Sequence, residues 1–211
     1  MGSRKKGVVG IESAIVLIAF VIVAAALAFV VLNMGFFTTQ RSKQVISSGL
    51  GEASSALEID GSIVAHVDTD NNVVDYIVIP VKLASGQHEV DLTPGKTTIA
   101  YWSPNKGIAL TDIYNGTLEQ GTYTDPSEVA NQITFGANDK VLAKIAWVTN
   151  INNDKVLDPG EKVFVVIKFN TSAMPESYHT IKVEIRPPIG APLTVERDVP
   201  ASLNNEIVDL D

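Results

Sequence analysis

Residues 7–32, GVVGIESAIVLIAFVIVAAALAFVVL, decide the fold of this 211-residue chain. No residue from 13 to 32 is charged, and most are Val, Ile, Leu, Ala or Phe. About 20 apolar residues in an α-helix rise about 30 Å, which matches the hydrocarbon core of a bilayer. The run is apolar on every side, so it is not one face of an ordinary surface helix. It predicts a helix that crosses a membrane or lies at the centre of a helical assembly.

Two features near the start of this run indicate its orientation and its role. Arg4, Lys5 and Lys6 precede it, and the positive-inside rule keeps such an amino terminus in the cytoplasm. No small-residue cleavage site of the ordinary secretory type follows the run. Glu12 is a lone carboxylate near its start. Acids inside a membrane are rare and usually paired, so Glu12 either reaches the lipid headgroups or has a charged partner.

The order of these residues is specific to one class of proteins. Arg4-Lys5-Lys6-Gly7, followed by Val8-Val9-Gly10-Ile11-Glu12 and an unbroken apolar helix, resembles the class III signal of type IV pilin-like proteins. Within that class it most resembles the archaellins, the subunits of the archaeal swimming filament. The resemblance implies that a membrane peptidase, the class III signal peptidase, cuts between Gly7 and Val8. Glu12 would then be the fifth residue of the mature chain.

Cleavage after Gly7 would give Glu12 a chemical partner. A new α-amine at Val8 has an ordinary pKa of about 7.7–8.0, so it carries a positive charge near neutral pH. Val8 and Glu12 stand at positions i and i+4, which lie on one helix face, and the two groups can also meet between packed helices. Removing one partner of a buried ion pair costs about 3–5 kcal/mol. We therefore expect Val8 and Glu12 to guide assembly rather than catalysis.

The composition excludes several functions. The formal net charge is −8, and no basic patch interleaved with aromatic residues offsets it, so we expect no nucleic-acid binding. The chain has no cysteine, which rules out a disulfide framework or a thiolate metal site. No Ser/His/Asp grouping or phosphate-binding glycine loop can be assembled from the sequence. We therefore expect no enzymatic activity.

Beyond the apolar run, the pattern changes from helical to alternating. Helical spacing continues to about Leu57, and Gly61 either ends the helix or marks the turn into the first strand. The fold class is predicted as α+β, a long amino-terminal hydrophobic helix followed by an immunoglobulin-like antiparallel β-sandwich. Pro80 suggests that its strand is an edge strand or carries a bulge. A short helix is expected from Asp125 to Gln132. Strands are predicted at 63–67, 77–83, 89–92, 97–102, 141–149, 163–169, 181–185, 193–199 and 207–210.

These patterns divide the chain into three parts. They are a leader at residues 1–7, a filament-core or transmembrane helix at 8–60 and an outer β-sandwich at 61–211. The resemblance to archaellins extends into the sandwich, where residues 83–86, 90–92 and 99–101 are similar to their early strands. Residues 188–197 are similar to their carboxy-terminal segment.

One loop carries the ligand spacing of a calcium site. Residues 150–161 place oxygen-bearing groups at positions 1, 3, 5, 7, 9 and 12, as in an EF-hand loop, although Lys155 replaces the usual turn glycine. The loop either binds Ca²⁺ or a similar hard cation, or is a polar hairpin that ends in a Pro-Gly turn. The predicted ligands are Asn150, Asn152, Asp154, the Val156 carbonyl, Asp158 and Glu161.

Two tripeptides fit the acceptor pattern for N-linked glycans. They are Asn115-Gly116-Thr117 and Asn170-Thr171-Ser172. Both fall in predicted loops of an exported domain, so we expect a glycan on at least one of Asn115 and Asn170.

The resemblance implies a structural subunit that polymerises through its amino-terminal helices into an extracellular filament for swimming, the archaellum. Its precursor is expected in the membrane, and its expected partners are further copies of the chain, the signal peptidase, and membrane assembly and rotary motor machinery. Two alternatives remain open from the sequence. One is an adhesive type IV-like pilin. The other is an uncleaved single-span protein with an extracellular binding or stator domain, which would keep residues 1–7.

Overall fold

Helix α1 occupies Lys6–Ala53 and contains 48 residues, a length of about 72 Å. The computed structural model describes residues 6–53, 57–85, 89–115 and 125–210, without the side chains of 6–9 and 51–53. The first proline of the chain is Pro80, so nothing in this segment breaks the backbone ladder of the helix. Every side chain from Gly10 to Leu50 is exposed in the isolated chain. The predicted apolar helix is therefore confirmed, and the fold itself leaves its surface uncovered.

Polar groups enter the helix just after the apolar run. The hydroxyl of Thr38 donates to the carbonyl of Met34 at 2.7 Å, and that of Thr39 donates to Gly35 at 2.8 Å. The Arg41 guanidinium lies 5.9 Å from the centre of the Phe37 ring. The two threonine hydroxyls have hydrogen-bond partners within the helix, and the Arg41 cation lies over an aromatic ring. These contacts allow polar residues to share the helix surface with apolar ones.

The helix ends earlier than the sequence predicts. It stops at Ala53, and residues 57–59 form strand β1 (Leu57–Ile59) in the sandwich. Leu57 is only 1% exposed and lies opposite Leu83. The chain divides into two compact units, and the boundary between them falls between Leu50 and Gly51. The predicted boundary at 60/61, and the helical continuation to Leu57, are therefore wrong, because burial of Leu57 favours the strand.

Twelve strands form three antiparallel sheets among the described residues. The large sheet has the order β12-β2-β3-β9-β7, with β1 also beside β3. The small sheet has the order β11-β10-β5-β6, and β4 pairs with β8. The remaining bounds are β2 (Val64–Asp68), β3 (Val73–Leu83), β4 (Val90–Asp91), β5 (Thr98–Ser103), β6 (Ile108–Leu110), β7 (Val141–Thr149), β8 (Val156–Leu157), β9 (Lys162–Phe169), β10 (Thr180–Arg186), β11 (Leu193–Asp198) and β12 (Ile207–Asp209).

The large and small sheets share one hydrophobic core, which confirms the predicted sandwich. Strand β10 shows the alternation most clearly, with Ile181, Val183 and Ile185 buried and the residues between them partly exposed. The same core contains residues of the large sheet such as Ile79 and Val165, both at most 1% exposed. In a β-sandwich, every second side chain of each strand points inward, and the inward side chains of the two facing sheets fill the core.

A short helix covers part of the outer face of the large sheet. Helix α2 (Pro126–Asn131) begins after Asp125, whose carboxylate accepts a hydrogen bond from the Ser127 amide at 2.8 Å. This confirms the predicted helix start, and the Asp125 carboxylate caps it. Val129 and Ala130 of α2 belong to a second apolar cluster that the sheet completes from its outer face. The sheet residues of that cluster are Tyr76, Val78, Leu142, Ala146 and Val166.

Pro80 lies in the central strand β3, so the predicted edge strand is wrong, and the register shift that β3 does show against β2 falls opposite His66 and Val67 rather than at Pro80. It stands opposite Phe164 of β9, and its carbonyl on the other side accepts from the Asp60 amide at 3.0 Å. On that second side, β2 pairs with β3 as far as Val78 and β1 pairs from Val81 onward. A residue without an N–H is tolerated there because it occupies the gap between two neighbouring strands.

This arrangement predicts that β1 stabilises the sandwich. A fragment of residues 51–211 should unfold at a higher temperature than one of residues 61–211, because the shorter fragment lacks buried Leu57 and the ion pairs of Asp60. Loss of a buried Leu side chain costs about 2–5 kcal/mol, and each kcal/mol lowers the Tm of a domain of this size by about 2–4 °C. Thermal unfolding followed by circular dichroism measures the difference. Equal melting temperatures would show that β1 contributes nothing.

Candidate assembly, cation and modification sites

The predicted assembly residues lie at the start of α1. The backbone of Gly7 and Val8 is helical, while their side chains fall outside the described residues. Glu12 is exposed and shares a stretch of helix surface with Val16 and Phe20. A carboxylate beside apolar side chains loses its water when helices pack over it, so it then needs a positive partner. The pairing of Val8 with Glu12 therefore stays a prediction.

The exposed surface of α1 demands a non-aqueous partner. Large apolar side chains along it, such as Phe20 at 74% and Leu32 at 73%, are exposed to a degree that soluble domains rarely show over a contiguous surface. The helix is long and apolar enough to cross a membrane. Burying apolar area is worth about 25 cal/mol per Å², so either lipid or other helices must cover this surface.

The loop of residues 150–161, called here the acidic loop, is organised by Glu161. This side chain belongs to a residue that is only 1% exposed. Its Oε1 accepts from the Ile151 amide at 2.7 Å, and its Oε2 accepts from the Asp158 amide at 3.0 Å. Both carboxylate oxygens are therefore occupied by the backbone of the loop, which explains how a buried charge is tolerated.

The other predicted cation ligands also bond within the loop. The Nδ2 of Asn152 donates to Asp154 at 2.9 Å and to Asp158 at 2.7 Å. Asp154 accepts from the Val156 amide at 2.7 Å, and Asn150 accepts from the Asn153 amide at 2.7 Å. An amide group thus stands between two carboxylates where the spacing predicts a cation. In the part of the chain that the structure describes, no group of three or more acidic, His or Cys side chains is arranged to hold a metal ion.

Electrostatics in the acidic loop still favour a positive ligand. Desolvation by burial raises the pKa of Asp158, and the charges of Glu161, Asp154 and Glu89 raise it further. The loop is tied to the sandwich through β8, which pairs with β4, and through the Leu92 amide, which donates to the Lys155 carbonyl at 3.0 Å. The cation site stays a prediction: its residues are brought together, but hydrogen bonds within the loop use their oxygens.

The two glycan acceptors differ in how their side chains are engaged. The Asn170 Nδ2 donates to the Asp139 carbonyl at 2.9 Å, and its Oδ1 accepts from the amide and the hydroxyl of Ser172. Asn170 is also only partly exposed. Asn115 is exposed, while Gly116 and Thr117 of its motif lie outside the described residues. Asn115 is therefore the more accessible acceptor.

Sequence reasoning missed an ionic cluster where the chain enters the sandwich. Asp60 pairs with Lys82 of β3 at 3.0 Å and with Lys162 of β9, and Lys82 also pairs with Glu58 at 3.1 Å. Hydrogen bonds from Lys162 and Lys82 lower the pKa of the Asp60 carboxyl. These partners lie on three different strands, so no local spacing in the sequence reveals them.

A long apolar helix with an acid near its start, joined to an antiparallel sandwich, defines the class of pilin-like subunits that assemble through their helices. The model of the family "Archaeal-type flagellin" matches residues 7–197. The chain belongs to this family, which confirms the resemblance to archaellins stated on its leader and helix.

Individual relatives agree with this assignment. "Probable flagellin 1" of Aeropyrum pernix is 47% identical over 202 residues, which cover 95% of each chain. "Probable flagellin 1" of Archaeoglobus fulgidus is 30% identical and covers 99% of this chain and 98% of its own length. Among solved structures, the archaeal flagellum of Methanospirillum hungatei is similar with a TM-score of 0.59 and 27% identity, covering 95% of this chain and 98% of that one.

The acidic loop yields a prediction about stability. Because folding raises the pKa of the Asp158 carboxyl, its charged form destabilises the folded state at pH 7, and this penalty disappears as the pH falls through that raised pKa. Asp158→Asn should therefore raise the Tm of the cation-free protein at pH 7. The gain should vanish below the ordinary pKa of 3.8, where the carboxyl is protonated in both states.

Added Ca²⁺ should stabilise the wild type but not Asp158→Asn. A cation that binds only the folded state stabilises it by about 2.7 kcal/mol at one hundred times its dissociation constant. The wild type should gain stability from Ca²⁺ and lose it to a chelator, while Asp158→Asn should respond to neither. Asp70→Asn, on an exposed turn, is the matched control and should behave as the wild type. If neither Ca²⁺ nor the chelator changes the melting temperature of the wild type, the loop is only a hairpin.

Proposed function

We propose that this chain is the structural subunit of an extracellular helical filament used for swimming, the archaellum. The observation that carries this proposal is the apolar surface of α1, which is exposed on every side in a chain whose sandwich is complete without it. The related archaeal flagellum from Methanospirillum hungatei aligns over nearly the whole length of both chains. The subunit acts as a building block, and rotation comes from a separate motor in the membrane.

Assembly transfers α1 from lipid to protein. Lipid tails are as apolar as the side chains of α1, so the transfer changes apolar burial little. Packing between helices and specific polar contacts then decide which arrangement forms. The helices form the core of the filament, and the acidic sandwiches form its outer sheath. Before assembly, the same helix holds the precursor in the membrane.

The amino terminus supplies the specific polar contact. In this proposal the class III signal peptidase removes residues 1–7, and the new amine of Val8 pairs with Glu12 of its own or a neighbouring helix. Glu12 stands beside Val16 and Phe20, so in a packed core its charge has no water to replace a lost partner. The pair therefore favours release from the membrane into one register of the filament.

Glycosylation is proposed at Asn115 in preference to Asn170. The Asn170 Nδ2, the atom to which a glycan would be attached, already donates to the Asp139 carbonyl. Attachment there in the folded domain would break that hydrogen bond. Asn115 requires no such rupture, since its exposed side chain lies on the surface. In the same way, Ca²⁺ in the acidic loop is proposed as an optional stabiliser of the sheath.

Mass spectrometry of native filaments tests the proposed function and its processing. The filament protein should be this chain, its first residue should be Val8, and glycan mass should lie on the Asn115 peptide rather than on that of Asn170. An intact Met1–Gly7 segment on a protein that stays in the membrane would instead indicate the anchored single-span alternative. Recovery of the processed chain in adhesive fibres of non-swimming cells would favour the pilin alternative.

Glu12→Gln should block entry into filaments without blocking membrane insertion. The substitution keeps the size of the side chain but leaves the Val8 amine without an anion in an apolar core, a loss of about 3–5 kcal/mol. That corresponds to a fall in incorporation of at least a hundredfold. The measurement is the ratio of mutant to wild-type peptide in filaments and in membranes of cells that express both.

The control for this experiment is Asp70→Asn, which removes one charge from an exposed turn of the sandwich. It should enter filaments at its expression frequency. Glu12→Gln present in filaments at the same frequency would show that the pairing has no role.

A further inference from the structure

One turn of the sandwich holds a tyrosine in a backbone conformation that tyrosine rarely adopts. Tyr178 has a φ of 65°, in the left-handed region that residues with a bulky side chain avoid. The His179 amide donates to the Glu176 carbonyl at 3.1 Å, so Tyr178 occupies the third position of a four-residue turn, where glycine is usual. The other described non-glycine residues of positive φ are the asparagines Asn72 and Asn153, which tolerate it better. Residues 176–179 are called here the Tyr178 turn.

The Tyr178 turn is held firmly, although its tyrosine gains little burial. Tyr178 is 72% exposed. Its amide donates to the Val199 carbonyl at 2.8 Å, and the Glu176 amide donates to the Nδ1 of His179 at 3.1 Å. Lys106 also pairs with Glu176 at 2.6 Å. Strained residues persist only where their surroundings fix them, and they cluster at binding and functional sites. The turn therefore presents an aromatic ring rigidly to the outside.

A second exposed apolar turn lies at the other end of the same strand. Strand β10 begins two residues after Tyr178 and ends three residues before Ile189, which is 62% exposed. Seven residues of strand span about 23 Å, so the two turns lie at opposite ends of the small sheet. Residues 187–192 are called here the proline turn, because Pro187, Pro188 and Pro192 fix φ at three of its six positions.

We infer that the Tyr178 turn of one subunit docks on the proline turn of a neighbouring copy of this chain. The Tyr178 ring packs against Ile189 and against Pro188 and Pro192, both of which are exposed. Aromatic surfaces recognise proline-rich segments repeatedly, because the proline backbone is already fixed in the bound conformation. Both turns are held in place before they meet, so docking costs little conformational entropy.

The placement of the two turns explains why the partner is a second copy. A surface at one end of a sandwich that fits a surface at the other end makes a heterologous contact. Each subunit then still offers one free end to the next, and such contacts generate open helical arrays when the rotation does not close. The inference rests on the proposed function, because only a polymer brings the two ends together. It adds which ends of the outer domains meet.

The absence of cysteine permits a direct test in filaments. Cells co-express two differently tagged variants, Ser177→Cys and Ala191→Cys, which place a thiol in each turn and leave Tyr178 and Ile189 unchanged. A short bismaleimide is added to isolated filaments, and a cross-linked dimer that carries both tags is expected. The matched control pairs Ser177→Cys with Ala137→Cys, which is exposed between α2 and β7. It should give at least tenfold less mixed dimer.

The dimers that form decide between the possible contacts. Filaments that contain both variants but give no more mixed dimer than the control would overturn the inference and leave the proposed function intact. Dimers formed mainly between two Ser177→Cys subunits would show that like turns face each other, and would also overturn it. A wild type that forms no filaments would overturn the proposed function itself.

Substitution of Tyr178 separates docking from a structural role. Glycine adopts the left-handed conformation without steric cost, so Tyr178→Gly removes the ring and the strain together. The Tm of this full-length variant in detergent should equal or exceed that of the wild type. Its incorporation into wild-type filaments should nevertheless fall at least tenfold. The matched control is Tyr178→Phe, which keeps the ring and should enter filaments at its expression frequency.

The two measurements on Tyr178→Gly give the inference a distinct signature. A ring that serves only the fold of its own domain would lower the Tm when it is removed. A lower Tm together with poor incorporation would therefore overturn the inference, and so would normal incorporation of Tyr178→Gly.

Discussion

The exclusion of water from the apolar surface of α1 is the constraint on which the rest of this molecule depends. A helix of 48 residues with exposed Val, Ile, Leu and Phe along its first two thirds has no stable state in water by itself. In the proposed function, lipid covers it in the precursor and neighbouring helices cover it in the filament. The sandwich has a hydrophobic core of its own, in a compact unit that begins at Gly51.

Separation of the two units assigns different chemistry to each. Glu12 is the one carboxylate in the apolar part of the helix, between Gly7 and Leu32, which makes its pairing selective. The sandwich carries most of the acidic groups, and two of its lysines, Lys82 and Lys162, share Asp60. In the proposed filament, a core held by helix packing and an outer sheath of charged sandwiches would respond to different conditions. At physiological ionic strength, salt largely screens exposed charges that are more than about 8–10 Å apart, whereas buried pairs are screened much less.

Features encoded by local pattern could be predicted from the sequence. The apolar run, the alternation of β10 and the helix start after Asp125 each depend on neighbours in the chain, and all three are confirmed. Leu57 and Pro80 were misassigned because their structure depends on distant partners, Leu83 for the first and the junction of β1 and β2 for the second. Ligand spacing identified the acidic loop as a unit. It did not reveal that backbone amides occupy both oxygens of Glu161, because only the folded loop brings them together.

The position of β1 has a mechanical consequence. Tension carried along the backbone from α1 reaches the sandwich first at Leu57, on a strand paired with the centre of the large sheet through β3. A pull along β1 loads all of its hydrogen bonds to β3 together. Just beyond β1, Asp60 pairs with Lys82 of β3 and Lys162 of β9, so it ties the chain to two further strands. Drag on the outer domain of a turning filament is therefore spread over several strands at its point of attachment, rather than borne by a single loop.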